Sequence, residues 1–306
     1  MEELKPGVWI IHGENRGRFP FAHSLYLEGE RRALIDTGAG KGLQQLVGKV
    51  DLVYLSHYHR DHVAGNSLFA GATFSIHPLD EPGVTSEEGF YRLTGLEGFG
   101  GQYWATLKQD GFTDTCIDEK HQEGDRIDLG GLTLRVVHTP GHTPGHCAFL
   151  VEEYDLLFTA DIDLSPFGPW YGNDASHLVQ FQKSVQRIRS LNPRMIVASH
   201  SRPVSEDIDA RLKKYGSIIE ERHKLVYSLL RRKEMSLEQL VDLKPFYRHH
   251  PDPVRVYRFF ERNMLKKHLA VLMSRGLVDC VEGGKIYTAG QRDHFSKPEL
   301  PIDSNS

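Results

Sequence analysis

Residues 56–62 read Ser56-His57-Tyr58-His59-Arg60-Asp61-His62. Four metal-competent side chains stand within six positions, directly after an apolar run that ends at Leu55. On an extended segment, side chains at i and i+2 share a face, so His57 and His59 can grip one ion. A turn into a helix then redirects Asp61 and His62 towards a second. Imidazole suits zinc, iron or nickel, and a carboxylate adds charge and can hold a water. The bland alternative is a polar surface loop. Four such groups crowded together without an ion would be costly to bury.

Three further segments have the same form. Thr139-Pro140-Gly141-His142-Thr143-Pro144-Gly145-His146 follows the apolar run 132–137, and its Pro-Gly turns fix the backbone so that a histidine projects from a strand end. Phe158-Thr159-Ala160-Asp161 closes another run with a carboxylate, and Ala198-Ser199-His200 closes a third with a histidine. Leu34-Ile35-Asp36-Thr37-Gly38 reads as a buried strand ending in a turn. Strand ends at one edge of a sandwich can converge, which is how a rigid framework builds a metal site.

The rest of the chain is ordinary in composition but uneven in charge. Of 306 residues, 39% are hydrophobic and 25% charged, which excludes collagen-like, disordered and disulfide-scaffold classes. No run reaches the roughly 20 apolar residues of a membrane span, and the start, MEELKPGVWIIHG, has no signal-peptide pattern, so the expectation is a cytoplasmic protein away from membranes. Three scattered cysteines, Cys116, Cys147 and Cys280, do not make a disulfide framework. Residues 1–200 hold 17 Lys and Arg against 26 Asp and Glu, while residues 201–290 hold 18 against 12. That sign change suggests two units. Short strands and tight turns fill the first unit, and a helix is expected over Asp174–Ser190. Residues 80–125 form a glycine- and aromatic-rich insertion, read either as a lid or as a small satellite core. From 206 the pattern is helical: Arg211–Arg232, a capping box at Ser236-Leu237-Glu238-Gln239, then Val254–Arg275. Leu277–Val281 and Lys285–Thr288 follow as a hairpin across Gly283-Gly284, the order of a winged helix, and 291–306 read as a frayed tail.

The ordered landmarks resemble the metallo-β-lactamase superfamily. They are Asp36-Thr37-Gly38, the HxHxDH of 57–62, the TPGHTPGH of 139–146, Asp161 and His200. The resemblance implies an α/β fold, an αββα sandwich over residues 1–205, with a helical, winged-helix-like domain over 206–290. It implies two divalent ions, zinc expected and iron or manganese as alternatives. His57, His59 and His142 would hold one, Asp61, His62 and His200 the other, with Asp161 between them. Ser199-His200-Ser201 stands where the family usually has a Gly-His pair, which keeps the ligand and alters its loop. Asp36 and His146 are expected behind the ligands, and Asp163 and Tyr171 in the substrate groove or in a structural loop. His12, His23, His77 and His177 are expected to be ordinary histidines.

The expected activity is hydrolysis of a small-molecule ester, thioester or lactone. Two ions would share a water, lower its pKa and polarise the substrate oxygen, and Asp61 would hold that water and move its proton. The second reading is an RNA-cleaving phosphodiesterase whose basic C-terminal domain contacts phosphates; superfamily endoribonucleases with a C-terminal winged helix share the layout. An iron-dependent oxidative enzyme and a regulatory protein are further alternatives. The C-terminal domain also reads as a dimer module. His59→Ala or Asp161→Asn is expected to lower activity by orders of magnitude in a protein that still folds; normal turnover by metal-loaded His59→Ala protein would overturn the ligand assignment.

Overall fold

A computed structural model describes residues 1–107, 111–281 and 286–290. The expected turn at Gly283-Gly284 and the tail 291–306 lie outside the described residues. Among those described, two sheets pack face to face. The first runs β1 (Glu2–Lys5), β2 (Val8–Ile11), β3 (Ser24–Glu28), β4 (Arg32–Ile35), β5 (Leu52–Leu55), β6 (Thr73–Ile76) and β7 (Glu119–Lys120), in that spatial order. Its first four strands are antiparallel, and β4 to β7 are parallel. The second sheet has β8 (Arg126–Asp128), β9 (Thr133–His138), β10 (Cys147–Val151), β11 (Leu156–Ala160) and β12 (Met195–Ala198). Glu152–Asp155 turns β10 into antiparallel β11, as the sequence suggests, and β12 joins β11 in parallel.

Strand periodicity explains the layering. In β5, Leu52 and Tyr54 face the second sheet while Val53 and Leu55 face outward. In β10, Cys147, Phe149 and Val151 meet them from the other side, and Ala148 and Leu150 face the opposite way. Both faces of each sheet are covered, so these strands read as unbroken apolar runs. Helices flank the sandwich: α1 (Arg60–Val63), α2 (Glu87–Thr94) and α3 (Gly100–Leu107) on the first sheet's side, α4 (Leu178–Leu191) and α5 (Ile208–Arg232) on the second's. This is the expected αββα arrangement. The helix expected from Asp174 begins instead at Leu178, because Asp174 and Ala175 donate their amides to Thr94 and Leu93 and His177 caps the helix.

The aromatic insertion is mostly core. Phe90, Leu96, Trp104 and Leu107 are buried against Tyr58, and Arg60 lies between the rings of Trp104 and Phe112. Beyond α5 come β13 (Met235–Ser236), α6 (Leu237–Leu243) with its capping box formed, α7 (Val254–Ser274), β14 (Val278–Val281) and β15 (Ile286–Ala289). One apolar cluster joins Leu157, Phe181 and Ile196 of the sandwich to Leu212 and Ile219 of α5 and Met264 and Leu269 of α7. Among the described residues no helix is long and apolar enough to cross a membrane.

His121 is buried between the sheets, and burial, with smaller repulsion from His77 and His138, lowers its pKa from 6.5 to about 3. The unfolded chain therefore binds the extra proton first, and stability falls as pH drops below 6.5. At pH 5.5 the cost is about 1.4 kcal/mol for one such histidine. Urea unfolding at pH 7.0 and 5.5 is expected to show that His121→Gln narrows the difference by this amount.

Candidate metal centre

Four strands deliver the site. Asp36 stands one residue past the end of β4, His57 two past β5, Asp161 one past β11 and His200 two past β12, while the β9–β10 loop carries His142. Cross-connections lock these ends together: Cys147 N donates to Ser56 O, Ser199 N to Ala160 O and His23 N to Ser199 O. Two glycines allow the approach. A Cβ on Gly38 would stand 1.8 Å from the Asp61 carbonyl oxygen, and one on Gly141, whose φ is +130°, 2.2 Å from Phe181 N. The Asp36-Thr37-Gly38 turn thereby clamps α1, with Thr37 N donating to His62 O at 2.7 Å.

Seven side chains converge in two sets. His57, His59, His142 and Asp161 form one, and Asp61, His62 and His200 the other, the ligand atoms of each within 4.8 Å of one another. Asp161 lies between the sets. Its Oδ2 is 3.1 Å from His142 Nε2, and its Oδ1 is 2.9 Å from His62 Nε2 and 3.3 Å from His200 Nε2. Asp61 Oδ2 is 3.5 Å from His200 Nε2.

The outward nitrogens of the histidines are each held. His62 Nδ1 donates to Asp36 Oδ2 at 2.8 Å, His142 Nδ1 to Trp170 O at 2.9 Å and His200 Nδ1 to Gly17 O at 2.6 Å. Ser56 Oγ, which donates to Asp36, is 2.9 Å from His57 Nδ1. His59 is turned the other way round: its Nε2 lies 2.6 Å from the Asn173 amide, and its Nδ1 faces His142 Nε2 at 2.8 Å. On His57, His62, His142 and His200 a proton fixed on the outer nitrogen leaves the inner one as a lone pair, which is the tautomer a metal needs; His59 takes the same form when the Asn173 amide presents its oxygen. His57 Nε2 is buried with no hydrogen bond among the described residues, and buried His62 Nε2 and Asp161 Oδ1 lie against each other. Inward-facing lone pairs crowded in a set of five imidazoles and two carboxylates fit a pair of divalent cations.

Electrostatics agree with the crowding. Burial, joined by repulsion from neighbouring imidazoles, holds His57 and His59 well below the usual histidine range. Burial opposes protonation of His62 too, but Asp161, Asp36 and Asp61 outweigh it and raise its pKa. Burial works against the charge of Asp161, and the surrounding histidines overcome it, holding the carboxyl well below its ordinary value.

Of the remaining candidates, His146 sits behind the first set, its Nδ1 2.8 Å from Thr139 Oγ1 and its Nε2 accepting from Asp161 N at 3.3 Å. Asp163 lines the cavity above the site. Tyr171 does not: it is fully buried, its hydroxyl between His268 Nε2 at 2.7 Å and Arg222 Nη1 at 3.0 Å. That places it in the packing under the loop, since the ring points away from the groove towards α5 and α7. His12 pairs with Glu2 at the surface, His77 stacks on His138, and His23 accepts from Gly13 N. Asn173 and Asp80 escape the sequence reading. Buried Asp80 accepts from Gly145 N at 2.6 Å and from Thr143 Oγ1, holding the His142 loop from beneath. Neither carries a local motif; only the folded chain brings them to the histidines.

A shallow dinuclear-type His/Asp cluster at the strand ends of an αββα sandwich defines a metallo-hydrolase class. The chain belongs to the metallo-beta-lactamase superfamily, which its residues 18–200 match. It is similar to an atrochrysone carboxyl ACP thioesterase of Cryptosporiopsis sp., 26% identical over 225 residues, covering 69% of this chain and 59% of that one. It is also similar to a beta-lactamase-like protein 2 homolog of Drosophila melanogaster, 26% identical over 271 residues, 81% of this chain and 80% of that one. Against the Cryptosporiopsis thioesterase and two further fungal relatives, the chain spans only 46% to 59% of their length. A metallo-beta-lactamase family protein of Thermus thermophilus shares the fold, with TM-score 0.73 and 22% identity over 94% of this chain and all of that one.

Asp36 touches both sets, directly through His62 and through Ser56 to His57. Asp36→Asn is expected to weaken zinc binding by about 10–100-fold, the usual loss when such an orienting group goes. Competition with a chromophoric chelator measures it.

Proposed function

We propose that the protein is a metal-dependent hydrolase of small-molecule esters, thioesters or lactones with a bulky apolar acyl group. The observation that carries this is the cavity over the metal centre. It encloses about 510 Å³; its floor holds His59, Asp61, His142, Asp161 and His200. Its walls are rings: Phe167, Trp170, Tyr247, Tyr257 and Phe260, with Tyr103 from the insertion. Apolar walls with a few convergent polar groups are what a small ligand's pocket needs. The named activity of the Cryptosporiopsis relative, thioester cleavage, supports the same reading.

His57, His59 and His142 would hold one ion, Asp61, His62 and His200 the second, with Asp161 shared. Bound divalent ions, with zinc first and iron or manganese as alternatives, would supply Lewis acidity and an activated water. The chain's own groups do the rest. Asp61, on the floor of the cavity, orients the attacking water and takes its proton. The rings seat the acyl group against the floor and keep bulk water out of the cavity, which strengthens every charge interaction inside it.

The basic C-terminal half supports this reading over phosphate binding. Arg258 pairs with Asp242 at 2.6 Å and Glu238 at 3.4 Å, Arg262 pairs with Glu238, and Arg275 with Glu220 at 3.2 Å. Lys267 donates inward to Asn173 O, and Arg255 lies over the Phe99 ring. Cations paired with carboxylates, as Arg258, Arg262 and Arg275 are, or turned into the fold, as Lys267 is, are poor contacts for a polyanion, whose binding rests on free cations.

Tyr257→Ala is expected to lower kcat/KM about tenfold for p-nitrophenyl benzoate, ~1.4 kcal/mol of lost ring contact, while leaving p-nitrophenyl acetate nearly unchanged. Steady-state rates on the two esters, on acyl-glutathione and on single-stranded RNA make the test. Cleavage of RNA with no esterase or thioesterase activity would overturn the proposal.

A further inference from the structure

The seven candidate ligands are not all supported by the same part of the chain. His62 leans on Asp36, at the end of β4, and His200 on the carbonyl of Gly17, before β3. His57 leans on Ser56. All three supports belong to the sandwich. His59 and His142 instead lean on the segment 167–174, through the Asn173 side chain and the Trp170 carbonyl.

That segment contains no helix or strand, so its backbone has no ladder of its own. Its downstream end is tied to Thr94 and Leu93. Four of its carbonyls are taken by side chains of α5 and α7. Arg222 donates to Phe167 O at 2.5 Å and Pro169 O at 2.6 Å; Asn263 donates to Gly172 O at 2.9 Å and Lys267 to Asn173 O at 2.7 Å. Asn263 also reaches Asp174 Oδ1 at 2.8 Å. Trp170 is held further by the Tyr247 hydroxyl at 2.6 Å from its indole nitrogen, and by the Phe260 ring at 5.1 Å. Arg222 and Asn263 are buried, so their donors have no water to turn to.

We propose that Arg222, Asn263 and Lys267 are positioning residues that hold His59 and His142 through segment 167–174. The ion site of the His57, His59 and His142 set then depends on Arg222, Asn263 and Lys267, and the site of the Asp61, His62 and His200 set does not. This rests on the metal-hydrolase reading above. It makes the C-terminal unit a structural part of one half of the centre.

The test is titration of full-length, metal-stripped protein with zinc by calorimetry and with Co(II) by visible absorption. Wild-type protein is expected to bind two ions in two resolvable steps. In Lys267→Met one dissociation constant is expected to rise at least tenfold, with a changed Co(II) spectrum for that step, while the other moves less than twofold. Lys267→Arg should restore the wild-type pattern. Asn263→Ala, on the other side of Asn173, is expected to behave like Lys267→Met and stands in for it should that variant fail to fold. Leu272→Ala, a core truncation on the same helix away from the segment, controls for lost stability and should leave both steps in place. Equal weakening of both steps, or no change in either, overturns the inference. Wild-type protein that takes up no ion overturns the metal-centre reading instead.

Discussion

A single buried carboxylate holds the architecture of the centre together. Asp36 is fully buried, and it accepts from Ser56 N at 2.7 Å, Ser56 Oγ at 2.7 Å and His62 Nδ1 at 2.8 Å. An ionised group in such a place is tolerable only when its lone pairs are used. Satisfying them fixes the end of β5 and the start of α1 against the end of β4. The backbone bends to permit it, with Asp36 at a φ of +60°. Gly38 then lets α1 approach closely enough for Asp61 to face His200. The positions of His57 and His62, one from each candidate set, follow from where β4 stops.

The ligands were legible because each is a local event. A strand ends, the apolar run stops, and a histidine or aspartate stands at the end. The HxHxDH and TPGHTPGH motifs and the ends of apolar runs bring out His57, His142, Asp161 and His200 as candidates, and the resemblance to the superfamily sorts them into a set. The supports were legible only where they too end a strand, as Asp36 does. Asn173 and the Trp170 carbonyl lie in an irregular segment and meet histidines 114 and 28 residues away. A main-chain carbonyl carries no residue signature at all. Tyr171 shows the converse: proximity in sequence to Asp161 allows either the groove or a structural loop, and the side chain turns into the core, where Arg222 and His268 satisfy its hydroxyl.

The charge asymmetry of the sequence takes on a different meaning in the fold. A basic stretch after an acidic one can mark a separate surface for a polyanion, or a unit folded onto its neighbour. Here much of the positive charge is used internally. Arg222 is buried beneath three aromatic rings, Phe167, Tyr171 and Phe246, and Lys267 reaches into the segment over the site. Burial pulls the Lys267 ammonium down to about 8. A cation placed where its charge is disfavoured must gain something from its surroundings, and here it gains the attraction of the Asp174 carboxylate and the carbonyl of Asn173.

That arrangement also explains why the cavity is apolar above an ionic floor. The helices that grip segment 167–174 must lie against the mouth of the site, and the part of the chain they bring there carries Tyr247, Tyr257 and Phe260. Phe260 and Tyr257 pack into the apolar cluster on the first sheet's side, and Tyr247 touches both that cluster and the one beneath α5 and α7, so these rings stand on a packed support. A wall built by packing is rigid, and a rigid apolar wall discriminates by shape. Polar selectivity is left to the floor, where the carboxylates and imidazoles converge. On the proposed function, recognition of an acyl group and activation of a water fall to different parts of the chain: the first to the C-terminal helices and the insertion, the second to the strand ends. The segment 167–174 is where the two meet, because Trp170 offers its ring to the cavity and its carbonyl to His142.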